Sequence, residues 1–209
     1  MTTRYKYPRT PHLPWSEGTT KDDKIIEDLN TLEQNEVVVT LKMDVENTTL
    51  YNDVLHARSI DSKDHESRHW LKAFHACVSQ NIPDKFRVCG ENVFAKHSIY
   101  YKDLQSYFLA FSIWRDEECL SWGLTKKLLN DWYIFPVKTI YEGFWPGQEK
   151  LTEVFAPYES EHEGYVVRIK GRFYLQNFSV SVAKFVRQNH VQTDKHWMHE
   201  EIKQNKLLK

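Results

Sequence analysis

Residues 36–51 read Glu-Val-Val-Val-Thr-Leu-Lys-Met-Asp-Val-Glu-Asn-Thr-Thr-Leu-Tyr, and no other stretch limits the fold as much. Side chains alternate faces along a strand, so the consecutive Val37, Val38 and Val39 predict a strand covered on both faces. The chain must therefore supply a layer on either side of that strand. Lys42 ends the run, Asp44 and Glu46 follow, and a second strand-like run starts at Asn47. An ammonium at the end of a buried strand is partly desolvated, which disfavours its charged form. An amine brought toward neutrality can serve as a nucleophile. The plainer alternative is a lysine snorkelling from a strand end into water. If the strand stays regular through this stretch, Asp44 and Glu46 share the face of Lys42.

With 209 residues the chain can bury one good core, or a core and a small appendage. Charged residues at 27% and hydrophobic residues at 41% describe an ordinary soluble globular composition. A net charge of −1 excludes nucleic-acid binding by overall charge, so any such contact needs a local basic patch. No apolar run approaches the about 20 residues of a membrane span, and the N-terminus lacks a signal-peptide core. Cys77, Cys89 and Cys119 are widely spaced and form no Cys-x-x-Cys. That spacing argues against a disulfide framework or zinc site, and for a reducing, cytoplasmic setting.

Pro8, Pro11 and Pro14 make residues 1–20 an extended arm, with Trp15 as its anchor. Ile25, Ile26, Leu29 and Leu32 predict an amphipathic helix over 21–32. Runs 47–51 and 54–58 read as a hairpin about Asn52-Asp53, and 59–69 as a polar loop. Trp70, Phe74, Cys77 and Val78 share one face of a helix ending before Pro83. Strands are expected over 86–91, 106–114, 164–169 and 180–186, and helices over 121–132, 150–155 and from His199 onward. The whole is a single α+β domain, 1–209, with an arm at 1–20 and a tail at 199–209. His65 and His69 lie four apart, and His196 and His199 are similarly close, but nothing supplies a further metal ligand.

Lys42-Met-Asp44-Val45-Glu46-Asn47 resembles the first motif, Lys-x-Asp-Gly-Glu-Asn, of the ATP-dependent RNA ligases among the covalent lysine nucleotidyltransferases. Further matches follow in that family's order: His56-Ala57-Arg58-Ser59, Gly90-Glu91-Asn92, 107–113, Glu163-Gly164-Tyr165-Val166-Val167-Arg168, and 181–187 ending in Lys184-Phe-Val-Arg187. The resemblance covers nearly the whole chain and is similar to a small, stand-alone catalytic-domain branch. It implies a nucleotidyltransferase fold, the ATP-grasp-like ligase adenylation domain, with mainly antiparallel sheets and flanking helices.

The resemblance also implies a three-step reaction using ATP and Mg²⁺ or Mn²⁺. A lysine takes AMP from ATP, AMP moves to an RNA 5′-phosphate, and a 3′-hydroxyl attacks that end. Lys42 is then the nucleophile, Asp44 its acidic neighbour, and Lys184 and Arg187 the cations near the α-phosphate. Arg58 and Glu91 clamp the ribose, and Phe111, with Phe108 as a rival, stacks on adenine. Glu163 and Glu46 serve the metal, while Asn47, Arg168 and Lys195 contact RNA. Apart from the resemblance, Lys195, His196, Arg187 and the arm's Arg4, Lys6 and Arg9 could form an RNA phosphate track, whose binding would weaken with salt; the plainer alternative is a set of ordinary surface cations. An accessory RNA-binding partner is compatible with the short chain.

Three residues depart from the pattern. Val45 replaces a glycine, and a β-branched residue is strained if φ is positive there. Leu41 stands where relatives carry glutamate, and Val54 where a turn glycine is expected; Lys184 and Arg187 are also three apart rather than at alternate positions. These departures keep open an impaired homologue that only binds nucleotide or RNA. A DNA ligase or a GTP-dependent capping-type enzyme keeps the chemistry and changes the substrate.

Overall fold

The valine run behaves as its parity predicts, for Val37, Val38 and Val39 are all fully buried. The computed structural model describes residues 2–188 and 202–208. Its elements are α1 (Asn30–Glu33), β1 (Glu36–Lys42), β2 (Glu46–Leu50), β3 (Leu55–Ala57), α2 (His69–Val78), β4 (Phe86–Asn92), β5 (Phe108–Arg115), β6 (Glu118–Cys119), α3 (Trp122–Asp131), β7 (Phe135–Pro136), β8 (Thr139–Phe144), α4 (Gly147–Phe155), β9 (Gly164–Ile169), β10 (Phe173–Tyr174), α5 (Phe178–Ser181) and β11 (Val182–Val186). One sheet has four antiparallel strands in the order β11-β9-β1-β8. The other has seven, β10-β6-β5-β4-β2-β3 with β7 parallel beside β5. Mixed α+β architecture with mainly antiparallel sheets is the expected class.

The central strand β1 feeds two cores. Val37, Val39 and Leu41 pack with Tyr165, Val167 and Ile169 of β9 against Leu32, Leu151 and Phe155. Val38 turns the other way and joins Tyr107, Trp122 and Val137. The regular strand expected beyond Lys42 does not occur. β1 ends at Lys42 in the four-stranded sheet, residues 43–45 cross over, and β2 begins at Glu46 in the seven-stranded sheet. Val45 and Val54 are absent from the positive-φ positions, so neither departure strains the backbone.

The expected helix over 21–32 is reduced to the single turn of α1. Residues 24–26 instead run extended beside the arm: His12 N–H donates to the Lys24 carbonyl at 2.7 Å and Ile26 N–H to the His12 carbonyl at 2.8 Å. Pairing with the arm enforces a two-residue period, which buries Ile26 and leaves Ile25 half exposed. The arm is tied down in turn, with Trp15 Nε1 donating to the Tyr165 hydroxyl at 3.0 Å. In α2, Val78 is buried but Cys77 is exposed, so Cys77 does not belong to the packed face. All three cysteines are free thiols, and no helix among the described residues is long and apolar enough to cross a membrane.

Expected terminal helicity also fails over 202–208, where Gln204 and Leu207 form isolated bridges with Ala95 and Leu104. Lys195, His196 and His199 lie outside the described residues.

Close strand approach at Gly164 sets a sharp local demand. A Cβ there would lie 1.9 Å from the Phe185 carbonyl oxygen, a backbone atom of β11. Gly164→Ala is therefore expected to push β11 off β9 and to lower unfolding free energy by about 1–3 kcal/mol or more. Chemical denaturation of the two proteins measures it.

Candidate functional site

Strands of both sheets open onto one cleft of about 870 Å³. Lys42 reaches it from the end of β1, Arg168 from β9, Lys184 from β11, Asn47 from β2, Glu91 from β4 and Phe111 from β5. The arm supplies a further wall through Tyr7, Arg9 and Thr10, and the turn leading into the extended segment adds Asp22 and Asp23. Residues spread over most of the chain thus converge because β1 lies between β8 and β9 while its continuation β2 pairs with β4.

Lys42 is anchored by a partner 121 residues away: its Nζ donates to Glu163 Oε2 at 2.5 Å. The antiparallel register pairs Lys42 with Gly164, which brings the preceding Glu163 alongside the amine. The lysine side chain keeps 24% of its surface, whereas Glu163 keeps 8%. The expectation that burial brings Lys42 toward neutrality is not met. Burial does pull the amine down, but Glu163, Glu91 and Asp44 outweigh it and raise its pKa. Lys184 is the amine pushed the other way, first by burial and then by the charge of Lys42.

The acids around Lys42 are not equivalent. Burial opposes ionisation of Asp44, yet His97 and the Ser98 side chain hold its carboxylate below the usual range. Asp44 Oδ1 pairs with His97 Nδ1 at 2.9 Å, Oδ2 accepts from Ser98 N at 3.1 Å, and the Asp44 N–H donates to the Tyr101 hydroxyl at 3.0 Å. Burial pushes Glu91 up to about 8, with Lys42 opposing the shift and Glu163 adding to it.

Glu46 does not fit its expected place at a metal. Both its oxygens accept from Arg68: Nε lies 2.8 Å from Oε2 and 3.1 Å from Oε1, and the Arg68 Nη2 also bonds Oε1. The crossover at 43–45 reset its orientation, and the long-range partner Arg68 carried no local sequence signal. Among the described residues no three His, Cys, Asp or Glu side chains gather to hold a metal by themselves. His65 is used locally, with its Nδ1 2.8 Å from the Ser67 hydroxyl.

Arg187 is likewise displaced from expectation. It does not line the cleft; its Nε donates to the His162 carbonyl at 2.9 Å and its N–H to the Glu163 carbonyl at 3.0 Å. Arg168 is expected on an RNA surface but is 5% exposed, inside the cleft, with Nη2 donating to the Leu120 carbonyl at 2.7 Å. Of the two aromatic rivals, Phe111 lines the cleft while Phe108 is fully buried in a core. Tyr7, not anticipated at all, sets its ring edge-on to Phe111 at 5.1 Å. Tyr7 had no motif to mark it, and its contact exists only once the arm has docked.

Three buried polar atoms on cleft residues have no partner: Asn47 Oδ1, Arg58 Nε and Arg168 Nη1. A buried polar group without a partner costs about 1–3 kcal/mol. Two donors and one acceptor beside Lys42 and Lys184 match a ligand carrying both anionic oxygens and hydroxyl groups, as a nucleotide does.

Two outcomes follow from this charge arrangement. Replacing Arg68 with Met leaves Glu46 buried and unpaired, and is expected to cost about 3–5 kcal/mol in denaturant titrations, whether or not Mg²⁺ is added. Glu91 has a folded pKa above its unfolded value, so its contribution is present below the unfolded pKa and lost as pH rises through about 8. Glu91→Gln is therefore expected to gain Tm relative to wild type above pH 8 and to differ little at pH 4.

The RNA ligase family model matches residues 35–186. No curated protein sequence matches the chain. Among solved structures, an Aquifex aeolicus protein provisionally described as an ATP-dependent DNA ligase superposes with TM-score 0.57 at 17% identity, over 88% of this chain and 50% of that one. An archaeal ATP-dependent RNA ligase gives 0.55 at 11%, over 87% and 48%. A mutant of Naegleria gruberi RNA ligase with ATP and Mn gives 0.55 at 14%, over 91% and 64%. The chain therefore spans about half to two-thirds of the length of these proteins, and at such identities the likeness is one of fold. The family match covers most of the chain, from the residue before β1 to the end of β11, and on that ground the protein belongs to the RNA ligase family.

Proposed function

We propose that the protein is an ATP-dependent RNA ligase that joins 5′-phosphate and 3′-hydroxyl RNA ends by way of AMP carried on Lys42. The observation that carries this reading is the placement of one amine, Lys42, between a carboxylate partner and a cleft whose unpartnered donors and acceptor suit a nucleotide. Its reducing, cytoplasmic setting is part of the same proposal and is supported by the three free thiols.

The nucleophile must shed a proton before it attacks phosphorus. Glu163, hydrogen-bonded to the amine, is the nearest base and holds the nitrogen at the cleft. Attack forms the N–P bond at Lys42 and breaks the bond to pyrophosphate. Lys184 and Arg58 face the negative charge that builds on the phosphate oxygens, in a site where burial strengthens the interaction. Glu91, whose protonated form is favoured by burial, accepts from a ribose hydroxyl and in that form also donates to one. Phe111, steadied by Tyr7, presents a ring to the base. Arg168, inside the cleft, suits the nucleotide better than an RNA strand, whereas Asn47 faces the same space with a free acceptor.

ATP and Mg²⁺ or Mn²⁺ fit this donor set without an all-protein cage, because a hard cation keeps several waters and takes its remaining ligands from phosphates. Glu163 is the carboxylate that would hold the ion, since Glu46 is already engaged by Arg68. The ion would neutralise phosphate charge.

Incubation with α-labelled ATP and Mg²⁺ tests the proposal. Acid-stable label is expected on the wild type and none on Lys42→Ala. Absence of label with every nucleotide and metal refutes it in favour of a binding module. Preference for labelled GTP, or for DNA over RNA 5′-phosphate ends, refutes the assigned substrates.

A further inference from the structure

Residues 43–45 carry the chain between sheets without a strand ladder, so something else must hold this stretch beside Lys42. The 93–107 loop does so. His97 and Ser98 hold the Asp44 carboxylate and the Tyr101 hydroxyl takes the Asp44 N–H. That loop is itself irregular, and it is pinned by a segment more than a hundred residues further along the chain.

Asn205 is the pin. It is 1% exposed, and both polar atoms of its side chain are engaged. Oδ1 accepts from the Tyr101 N–H at 2.9 Å, while Nδ2 donates to the carbonyls of Val93 at 2.9 Å and Ala95 at 3.2 Å. Its own N–H donates to the Phe94 carbonyl at 2.9 Å, and its carbonyl accepts from the Tyr107 hydroxyl at 3.1 Å. Next along, Lys206 N–H donates to the Tyr101 carbonyl at 2.9 Å. Tyr101 is thus gripped through both backbone polar groups by 205–206, and through its hydroxyl it grips Asp44, two residues from the amine. A surface segment that merely tidied a loop would not need a buried asparagine with three side-chain bonds.

We propose that Asn205 is a positioning residue for Lys42, acting through Tyr101 and Asp44, so that the 202–208 segment completes the active site from a distance. The proposal rests on Lys42 being the nucleotide acceptor. Displacing a nucleophile by a fraction of an ångström affects the chemical step more than ground-state binding of ATP.

The test uses full-length Asn205→Ala, Tyr101→Phe and the double variant, each at a temperature where its melting curve shows it folded. Single-turnover adenylylation by ATP and Mg²⁺ is followed together with amide hydrogen exchange. Either single change is expected to slow the maximal rate about tenfold, with the ATP concentration at half-maximal rate nearly unchanged. The double variant should be no slower than the slower single, because both changes cut one path. Asn205→Ala should speed exchange at the Asp44 and Ser98 amides and leave Val38 and Val39 protected. A wild-type rate with unchanged exchange at Asp44 overturns the proposal, as do single effects that multiply in the double variant. Asn205→Ser, a smaller perturbation, is read in the same way if Asn205→Ala does not fold. Should the wild type take up no AMP, the ligase reading falls, and exchange at Asp44 still decides whether Asn205 controls that loop.

Discussion

The pairing register of β1 with β9 is the constraint on which the site depends. Lys42 faces Gly164, Thr40 faces Val166 and Val38 faces Arg168, so one face of the two strands, turned to the cleft and to the second core, alternates with Val37, Val39, Tyr165 and Val167 in the first core. A slip of one residue would turn Lys42 into that core and bring a valine out. The same register places Glu163 within hydrogen-bond reach of the amine. Gly164 permits it, since only a residue without a Cβ can lie against the Phe185 carbonyl of the neighbouring strand. One glycine therefore lets β11, which carries Lys184, close against β9.

Electrostatically the site is balanced within itself. Glu163 and Asp44 favour the charged form of Lys42, while burial first, and then Glu163, pushes Glu91 up against the opposing charge of Lys42. Lys184, lacking so close a counter-charge, is the amine pushed down. Placing an anionic ligand near Lys184 and Arg58 would relieve their mutual repulsion, and a cation near Glu163 would loosen its hold on Lys42. Ligand charge and amine reactivity are linked by these contacts alone, with no large rearrangement needed.

Both ends of the described chain dock near the cleft, the arm lining it and the 202–208 segment bonding a neighbouring loop. The arm runs beside β11, with the Leu13 N–H donating to the Lys184 carbonyl at 2.7 Å and the Lys184 N–H to the Pro11 carbonyl at 2.9 Å, and it carries Tyr7 to Phe111. Segment 202–208 holds the loop that holds Asp44. Segments that read as an open arm and a frayed tail are docked, because each finds unpaired backbone groups to bond and an apolar surface to cover.

What the sequence determined by itself is the local and periodic part. Three adjacent valines demanded cover on two faces, the alternating runs marked the strands, and the ordered motifs marked Lys42, Arg58, Glu91, Phe111 and Lys184, all of which line one cleft. What only the tertiary structure decided is the company each group keeps. Glu46 went to Arg68 because the strand broke at residue 43; residues 24–26 became extended because the arm offered a partner; Lys42 stayed protonated because carboxyl groups from β4 and the start of β9 surround it. Apolar periodicity is a property of neighbours along the chain, and one sequence carries it. Charge state, pairing and position depend on groups brought together across more than a hundred residues, and only the folded register specifies which groups those are.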